Sequence, residues 1–328
     1  MLISFFKPNR PVTLLAILPV ITLLLWIPGI LKYPMPLAFE HSMPFFDALA
    51  FLCSQVPYSA PILSLSLIYL QALLLNHIVN TNDILKPKSN LPALMYVLIM
   101  SSVVELQTLH PVVISNIFLI IAISRICTIY NQNRVYSQVF DAGMFVALGS
   151  FFYFPAIAFF LFIWLSLLII RPFIWREYII ALLGMLVPYL FLASWYFWTG
   201  EWIEFFKDKI TDIDPSTIVF PNLVALDYGL VAYLLLLLFA SLLAVFRIMG
   251  KNVVRVQYLL RSLVALLVVG FAILLFDSSR NLHTIALVAI PSSIIFANYF
   301  LVLKRRLLAE VIFTLLLLLI IFNLFTSH

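Results

Sequence analysis

The stretch YLLLLLFASLLAVF, residues 233–246, decides the fold class. It has no charged residue and none of the apolar–polar alternation that marks a strand of a membrane β-barrel. Of the 328 residues in the chain, 64% are hydrophobic and 10% are charged, and the mean hydropathy is +1.14. Soluble domains are about a quarter charged, so this chain has too few polar residues to cover a soluble surface. The sequence predicts an all-α, polytopic transmembrane helical bundle.

Apolar runs bounded by charge, Pro or Asn recur along the chain and approach the roughly 20 residues that a helix needs to cross a bilayer. Eleven such runs lie at about 11–31, 58–78, 91–107, 110–125, 138–153, 155–171, 177–198, 225–246, 258–276, 284–303 and 307–325. The count is least secure where two short runs meet at FFYFP, within 138–171. We expect residues 1–328 to form a single integral membrane domain with two long loops, at 32–57 and 199–224.

The distribution of Lys and Arg predicts the orientation. With the N-terminus inside, all 19 basic residues fall in inner loops except Lys32, Lys207, Lys209 and Arg280. This asymmetry obeys the positive-inside rule. It predicts that the two long loops and the C-terminus lie outside the cytoplasm. The net charge of +5 follows from the same loops, so no nucleic-acid partner is expected.

Most carboxylates fall on or near the predicted outer side. They are Glu40, Asp47, Glu105, Glu201, Glu204, Asp208, Asp212, Asp214, Asp227 and Asp277. One interpretation is that acids fill loops from which Lys and Arg are excluded. The other is that an outward-facing site uses carboxylates.

The first outer loop contains a predicted interfacial helix. Ser42-Met43-Pro44 resembles a helix start with a Ser cap and Pro in the first turn. Phe45, Ala48, Leu49 and Leu52 would then share one face at the membrane surface. Asp47 is either a first-turn acid that favours the helix dipole or a catalytic carboxylate, and Glu40-His41 lies just before it.

Other ionisable side chains lie at the outer ends of predicted spans. Glu105 ends the third run, and Asp277 and Arg280 share a short loop with His283. Charges are costly inside a bilayer, so these residues are candidates for substrate binding, although Asp277 and Arg280 would also suit a local ion pair. In the second long loop, Trp202, Phe205 and Phe206 suit either an interfacial helix or a lid.

Several motifs are missing from the sequence. It contains no GxxxxGK[ST], GxGxxG, HExxH or GxSxG pattern, and its five His and two Cys do not fall at metal-ligand spacing. We therefore expect neither nucleotide-driven pumping by this chain nor a thiolate metal site. Cys53 and Cys127 are predicted on opposite sides, so no disulfide is expected. Gly143 and Ala147 predict a close helix contact.

Three segments carry a family resemblance: MLISFFKPNRPV (1–12), NLPALMYVLIMSS (90–102) and GSFFYFPAIAFFLFIWLSLLIIRPFIWREYIIALLGMLVPY (149–189). They resemble a family of uncharacterised polytopic inner-membrane proteins of Bacteroidota. The overall plan, with a long outer loop after the first span and short hairpins at 150–191, is similar to GT-C glycosyltransferases. The chain departs from that plan because loop 32–57 has no paired-acid motif and no soluble C-terminal domain follows.

The GT-C resemblance implies transfer of a sugar from a polyprenyl-phosphate carrier on the extracytoplasmic side. Asp47 or Glu40 would activate an acceptor hydroxyl or hold a divalent cation. Arg280 first, and Lys32 second, would pair with the departing phosphate, and Asp277, Glu105 and His41 would help bind the substrate. The alternatives are a non-catalytic membrane subunit of an envelope assembly, with membrane protein partners, and a flippase for lipid-linked material.

Overall fold

The computed structural model describes residues 2–33, 43–200, 225–276, 282–303 and 305–326, and their regular secondary structure is entirely helical. The α-helices in this part are α1 (Leu2–Phe6), α2 (Leu18–Lys32), α3 (Pro44–Ser54), α4 (Ser59–Thr81), α5 (Leu91–Met100), α6 (Pro111–Cys127), α7 (Tyr136–Ser150), α8 (Phe160–Ile170), α9 (Trp175–Thr199), α10 (Ala225–Met249), α11 (Val254–Phe276), α12 (Ile285–Val302) and α13 (Arg306–Thr326). A π-helical turn, Thr13–Ile17, leads directly into α2.

Seven helical stretches in the described residues are long and apolar enough to cross a membrane. They are Thr13–Lys32, Ser59–Thr81, Trp175–Thr199, Tyr228–Met249, Val254–Leu275, Ile285–Val302 and Leu307–Thr326. The protein is therefore a multi-pass helical membrane protein, as the composition predicted. The four remaining apolar runs contain the shorter helices α5 to α8, so eleven crossings stay a prediction.

Irregular turns shorten two of these four runs. The run 91–107 divides into α5 and a 3₁₀ turn, Val104–Gln107. The run 155–171 begins as a 3₁₀ turn, Phe154–Phe159, and becomes α8 only at Phe160. Helix α6 has 17 residues, which is about 25 Å at 1.5 Å per residue.

Helices α5 and α12 form the centre of the bundle and pack extensively on each other. Every residue of α5 is buried, and 78% of the α12 span is buried within the protein. The α9 span is only 22% buried, and its exposed side chains are mostly apolar, as lipid contact requires.

Several polar side chains within the bundle are buried and form hydrogen bonds between helices. The Tyr96 hydroxyl donates to Gln71 Oε1 at 2.6 Å, and Gln71 Nε2 donates to the Val113 carbonyl at 2.6 Å. Asn116 Nδ2 donates to the carbonyl of Ala286 at the start of α12, at 2.9 Å. These bonds join α4, α5, α6 and α12 and leave none of the named donors facing lipid.

The loops meet at two ends of the bundle. At one end, the N-terminal segment bonds to Asn90, whose N–H donates to the Phe6 carbonyl at 2.9 Å. Arg255 donates to Asn82 Oδ1 at 3.0 Å, and Arg171 donates to the Gln132 carbonyl at 2.6 Å. We call this the basic end, because the loops rich in Lys and Arg meet here.

The opposite end joins the C-terminus of α2, the turn before α6, the turn after α7 and the start of α12. Ser64 donates to the Thr108 carbonyl at 3.0 Å, and Phe45 stacks on Phe151 with ring centroids 5.6 Å apart. We call it the histidine end, after the residue pair described below. Its location outside the cytoplasm stays a prediction.

Helices α7 and α9 make the closest helix pair of the bundle through two glycines. A side chain at Gly143 would collide with the Ala181 carbonyl, and one at Gly184 with the Phe140 carbonyl. The predicted contact at Gly143 is confirmed, with Gly184 as its counterpart. Cys53 and Cys127 are both free and buried.

Candidate functional site

The candidate site is at the histidine end, around the segment 101–110 that links α5 to α6. Helix α5 ends at Met100, and the next residue is held from two directions. Trp26 Nε1 of α2 donates to Ser101 Oγ at 3.0 Å, and Gln107 Nε2 donates to the Ser101 carbonyl at 3.2 Å. The regular hydrogen bonds of α5 end at this point. The two bonds to Ser101 take their place and hold the turn against α2.

Gln107 also enters the hydrogen-bond ladder of α2. Its Oε1 accepts from the Gly29 N–H at 3.0 Å, and its Nε2 donates to the Leu25 carbonyl at 3.0 Å. Those two backbone groups are four residues apart and would ordinarily bond each other in an α-helix. Pro28, inside the helix, cannot donate a backbone hydrogen bond, and Gly29 leaves the room that the Gln107 side chain fills. The segment 101–110 is thereby fixed in register with α2.

Two buried histidines touch at this end. His110 precedes Pro111 at the start of α6, and His283 lies in the 3₁₀ turn before α12. Their ring centroids are 4.5 Å apart, with His110 fully buried and His283 8% exposed. Both ring nitrogens of His110 lack a hydrogen-bond partner among the described residues. Burial lowers the pKa of His283 to about 4, so its imidazole is neutral at pH 7.

An acid and a cation lie around one aromatic ring at the end of α2. Glu105 is exposed, unlike its neighbours in the turn Val104–Gln107. Partial burial, together with the negative charge of Glu105, raises the pKa of Tyr33. Lys32 Nζ lies 5.8 Å from the centroid of the same ring, within cation–π range. Lys32, Tyr33 and Glu105 thus form a charged cluster at the end of α2.

Helix α3 places Asp47 at this end. It begins after Met43, an extended residue in the cap position, with Pro44 in the first turn. The predicted cap, Ser42, is outside the described residues. Phe46 and Cys53 are buried against Leu109, whereas Asp47 is exposed to solvent.

The predicted apolar face of α3 is mostly exposed. Phe45, Ala48 and Leu52 are exposed, whereas Leu49 packs inward together with Phe46 and Cys53. Both sides of this short helix therefore carry apolar residues. One side packs on the bundle, and the exposed side, with Asp47 beside it, is the one predicted to lie at the membrane surface.

Three of the predicted site residues, Lys32, Asp47 and Glu105, are described, and all three lie at the histidine end. The other four, Glu40, His41, Asp277 and Arg280, are outside the described residues. Sequence analysis did not bring His110 and His283 together, although both follow a predicted outer end. Within the described ranges, no three His, Cys, Asp or Glu side chains converge as metal ligands. A divalent cation at Asp47 therefore stays a prediction.

A model described as a family of unknown function (DUF6427) matches residues 45–328, which include α3 to α13. No curated protein matches the chain. No solved structure matches it either.

Proposed function

We propose that the chain, which belongs to this family of unknown function, is a GT-C-like glycosyltransferase of the bacterial inner membrane. Its substrate would be a sugar linked to polyprenyl phosphate, bound at the histidine end outside the cytoplasm. The observation that carries the proposal is that Lys32, Tyr33 and Glu105 lie together at the same end of the bundle as the helix that carries Asp47. These residues supply carboxylates and a cation at that end.

The chemistry assigns a role to each charge. The acceptor hydroxyl attacks the anomeric carbon, its proton passes to a carboxylate, and the bond from that carbon to the phosphate oxygen breaks. Asp47 or Glu40 is the base. Arg280, and secondly Lys32, offsets the charge of the departing polyprenyl phosphate. Glu105, Asp277 and His41 bind the sugar.

The position of Asp47 on α3 supports its assignment as a candidate base. Asp47 lies on an amphipathic helix that buries one side against the bundle and leaves Phe45 and Leu52 exposed on the other. Such a helix lies in the plane of the membrane surface, where a sugar on a lipid carrier is also held. The polyprenyl chain would lie among the apolar side chains of the outer spans.

The experiment supplies the purified full-length protein with a panel of short-chain polyprenyl-phosphate sugars and acceptor sugars. Released polyprenyl phosphate is measured by mass spectrometry. We expect release with at least one donor, and a loss of about a hundredfold or more when Asp47→Asn and Glu40→Gln are combined, since general-base catalysis contributes about that much. Glu310→Gln, at the basic end, is the control and keeps wild-type release. Failure of every donor, or wild-type release by the double variant, refutes the proposal.

A second candidate is a non-catalytic subunit of an envelope assembly. It is favoured by the outer half of α9, where Trp195 and Trp198 are 69% and 91% exposed. Replacing both by Ala would then dissociate a complex in native gels of solubilised membranes without changing donor release. If the complex persists in the Trp variant, this candidate fails.

A further inference from the structure

A cleft opens between α10 and α12 at the basic end, away from the candidate site. Its volume is about 410 Å³. Ala240, Ala244 and Arg247 of α10 form one side, and Tyr299 and Leu303 of α12 form the other. The cleft is independent of the proposed glycosyl transfer and has no part in it.

Small side chains create the cleft. Ala240 and Ala244 are one turn apart and so lie on one face of α10, leaving a gap where larger residues would meet α12. From Ala240 to Arg247 the helix rises about 10 Å. The cleft therefore runs about two turns from the helix end toward the middle of the bundle, with mostly hydrocarbon walls.

A cation lies at the mouth. Arg247 is in the last turn of α10, is exposed, and has no ion pair or hydrogen bond with any described residue. Among the described residues, no acid lines the cleft, and Lys251 follows just beyond α10. A guanidinium beside an apolar cleft at a helix end matches a lipid phosphate with its acyl chain below it.

We propose that this cleft binds one anionic glycerophospholipid, with its phosphate on Arg247 and one acyl chain between α10 and α12. Apolar side chains along the cleft and one guanidinium at its mouth suit an acyl chain that lies below a phosphate. The charge excludes a zwitterionic lipid as the preferred occupant, since its amine would find no acid in the lining.

Native mass spectrometry of the purified full-length protein tests the proposal. The protein is titrated with phosphatidylglycerol, with phosphatidylcholine of the same acyl chains, and with soluble glycerol phosphate. We expect one phosphatidylglycerol per chain to resist detergent removal, with weaker binding of phosphatidylcholine and none of glycerol phosphate. Arg247→Gln should weaken the bound phosphatidylglycerol about fivefold, and Ala244→Phe should displace it by filling the cleft.

Arg134→Gln is the matched control, because Arg134 is an exposed cation of the basic end that does not line the cleft. It should leave binding unchanged. Equal losses in Arg247→Gln and Arg134→Gln would mean nonspecific attraction and overturn the proposal. So would equal binding of the two lipids, or binding of glycerol phosphate alone. Arg247 is exposed, so its variant is expected to fold, and a circular dichroism melt verifies this.

Discussion

The side-chain amide of Gln107 accepts a hydrogen bond from the backbone N–H of Gly29, 78 residues earlier in the chain. The same amide donates to the Leu25 carbonyl, so it bonds to two backbone groups of α2 that lie one turn apart, beside Pro28. Sequence reasoning gave Gln107 no role. In the structure it fixes the turn that carries Glu105 and leads into His110.

Gln107→Leu should destabilise the protein by about 1–3 kcal/mol, because the Gly29 N–H and Leu25 carbonyl would be buried without their partner. Thermal unfolding of the detergent-solubilised protein measures this. Gln55→Leu, at an exposed position after α3, is the control and should change the unfolding free energy by less than about 0.5 kcal/mol. Equal stabilities of the two variants would contradict the bridge.

Gly143→Ala should loosen the α7–α9 pair, since the added methyl group would meet the Ala181 backbone carbonyl. A backbone carbonyl cannot move aside as a flexible side chain can. We therefore expect the free energy of unfolding to fall by about 1–3 kcal/mol. Gly229→Ala is the control, because a methyl group there meets open space. The comparison uses the same unfolding assay, and a neutral Gly143→Ala would refute the close contact.

Burial of His283 predicts a pH-dependent stability. Its pKa is lowered to about 4, while in the unfolded chain it is near 6.5. Between these values the unfolded state binds more protons, so stability falls as the pH drops below about 6.5. At pH 5 the loss is about 2 kcal/mol relative to pH 8.

His283→Gln should remove that component and make the stability profile between pH 8 and pH 5 less steep, with the buried His110 still present. His77→Gln is the control, because His77 is exposed on α4 and its variant should keep the wild-type slope. Unfolding is measured at each pH. If His283→Gln retains the full slope, the histidine does not cause it.

The ion pair of Arg171 and Glu177 is buried, with side chains only 10% and 3% exposed and atoms 3.2 Å apart. Arg171 also donates to the Gln132 carbonyl. Glu177→Gln leaves the guanidinium without its counter-charge and should cost about 3–5 kcal/mol.

The matched comparison is Asp141→Asn, which breaks the partly exposed ion pair between Asp141 and Arg125, whose atoms are 3.5 Å apart. Solvent screening limits its cost to about 1 kcal/mol or less. The free energies of unfolding of the two variants are compared. Equal losses of stability would contradict a structural role for the Arg171–Glu177 pair.

Cysteine tagging tests the predicted orientation. In a background lacking Cys53 and Cys127, we expect a membrane-impermeant maleimide to label Gln55→Cys in intact cells. Lys251→Cys should react only after the membrane is opened, because the two positions lie at opposite ends of the bundle. Labelling of both positions from the same side would contradict the predicted topology, and with it the proposed outer site.

Composition and apolar runs predicted the helical membrane fold because hydrocarbon admits few other structures. The division of 91–107 was not predictable. The turn after α5 is held by the bond of Ser101 to Trp26, 75 residues earlier in the chain, which no local pattern encodes. The burial of Phe46 in one cluster with Leu109 was not predicted for the same reason.

The candidate site was predictable in its side chains and only partly in its arrangement. Glu105 was predicted as a site residue because a charge inside a bilayer is costly. Asp47 was predicted because it follows a sequence typical of a helix start. The meeting of His110 with His283 depends on α12 packing beside α6, which follows from tertiary structure. Tyr33 was not predicted as a site residue. It belongs to the candidate site only because the structure places it beside Lys32 and Glu105.

Helix α5 has no surface that touches lipid, because all ten of its residues are covered by protein. Its main neighbour, α12, is synthesised almost two hundred residues later. During biogenesis this segment cannot reach its final surroundings when it leaves the ribosome. It must wait, shielded by α4 and α6, until the last helices close around it, which makes completion of the C-terminal third a condition for assembling the centre.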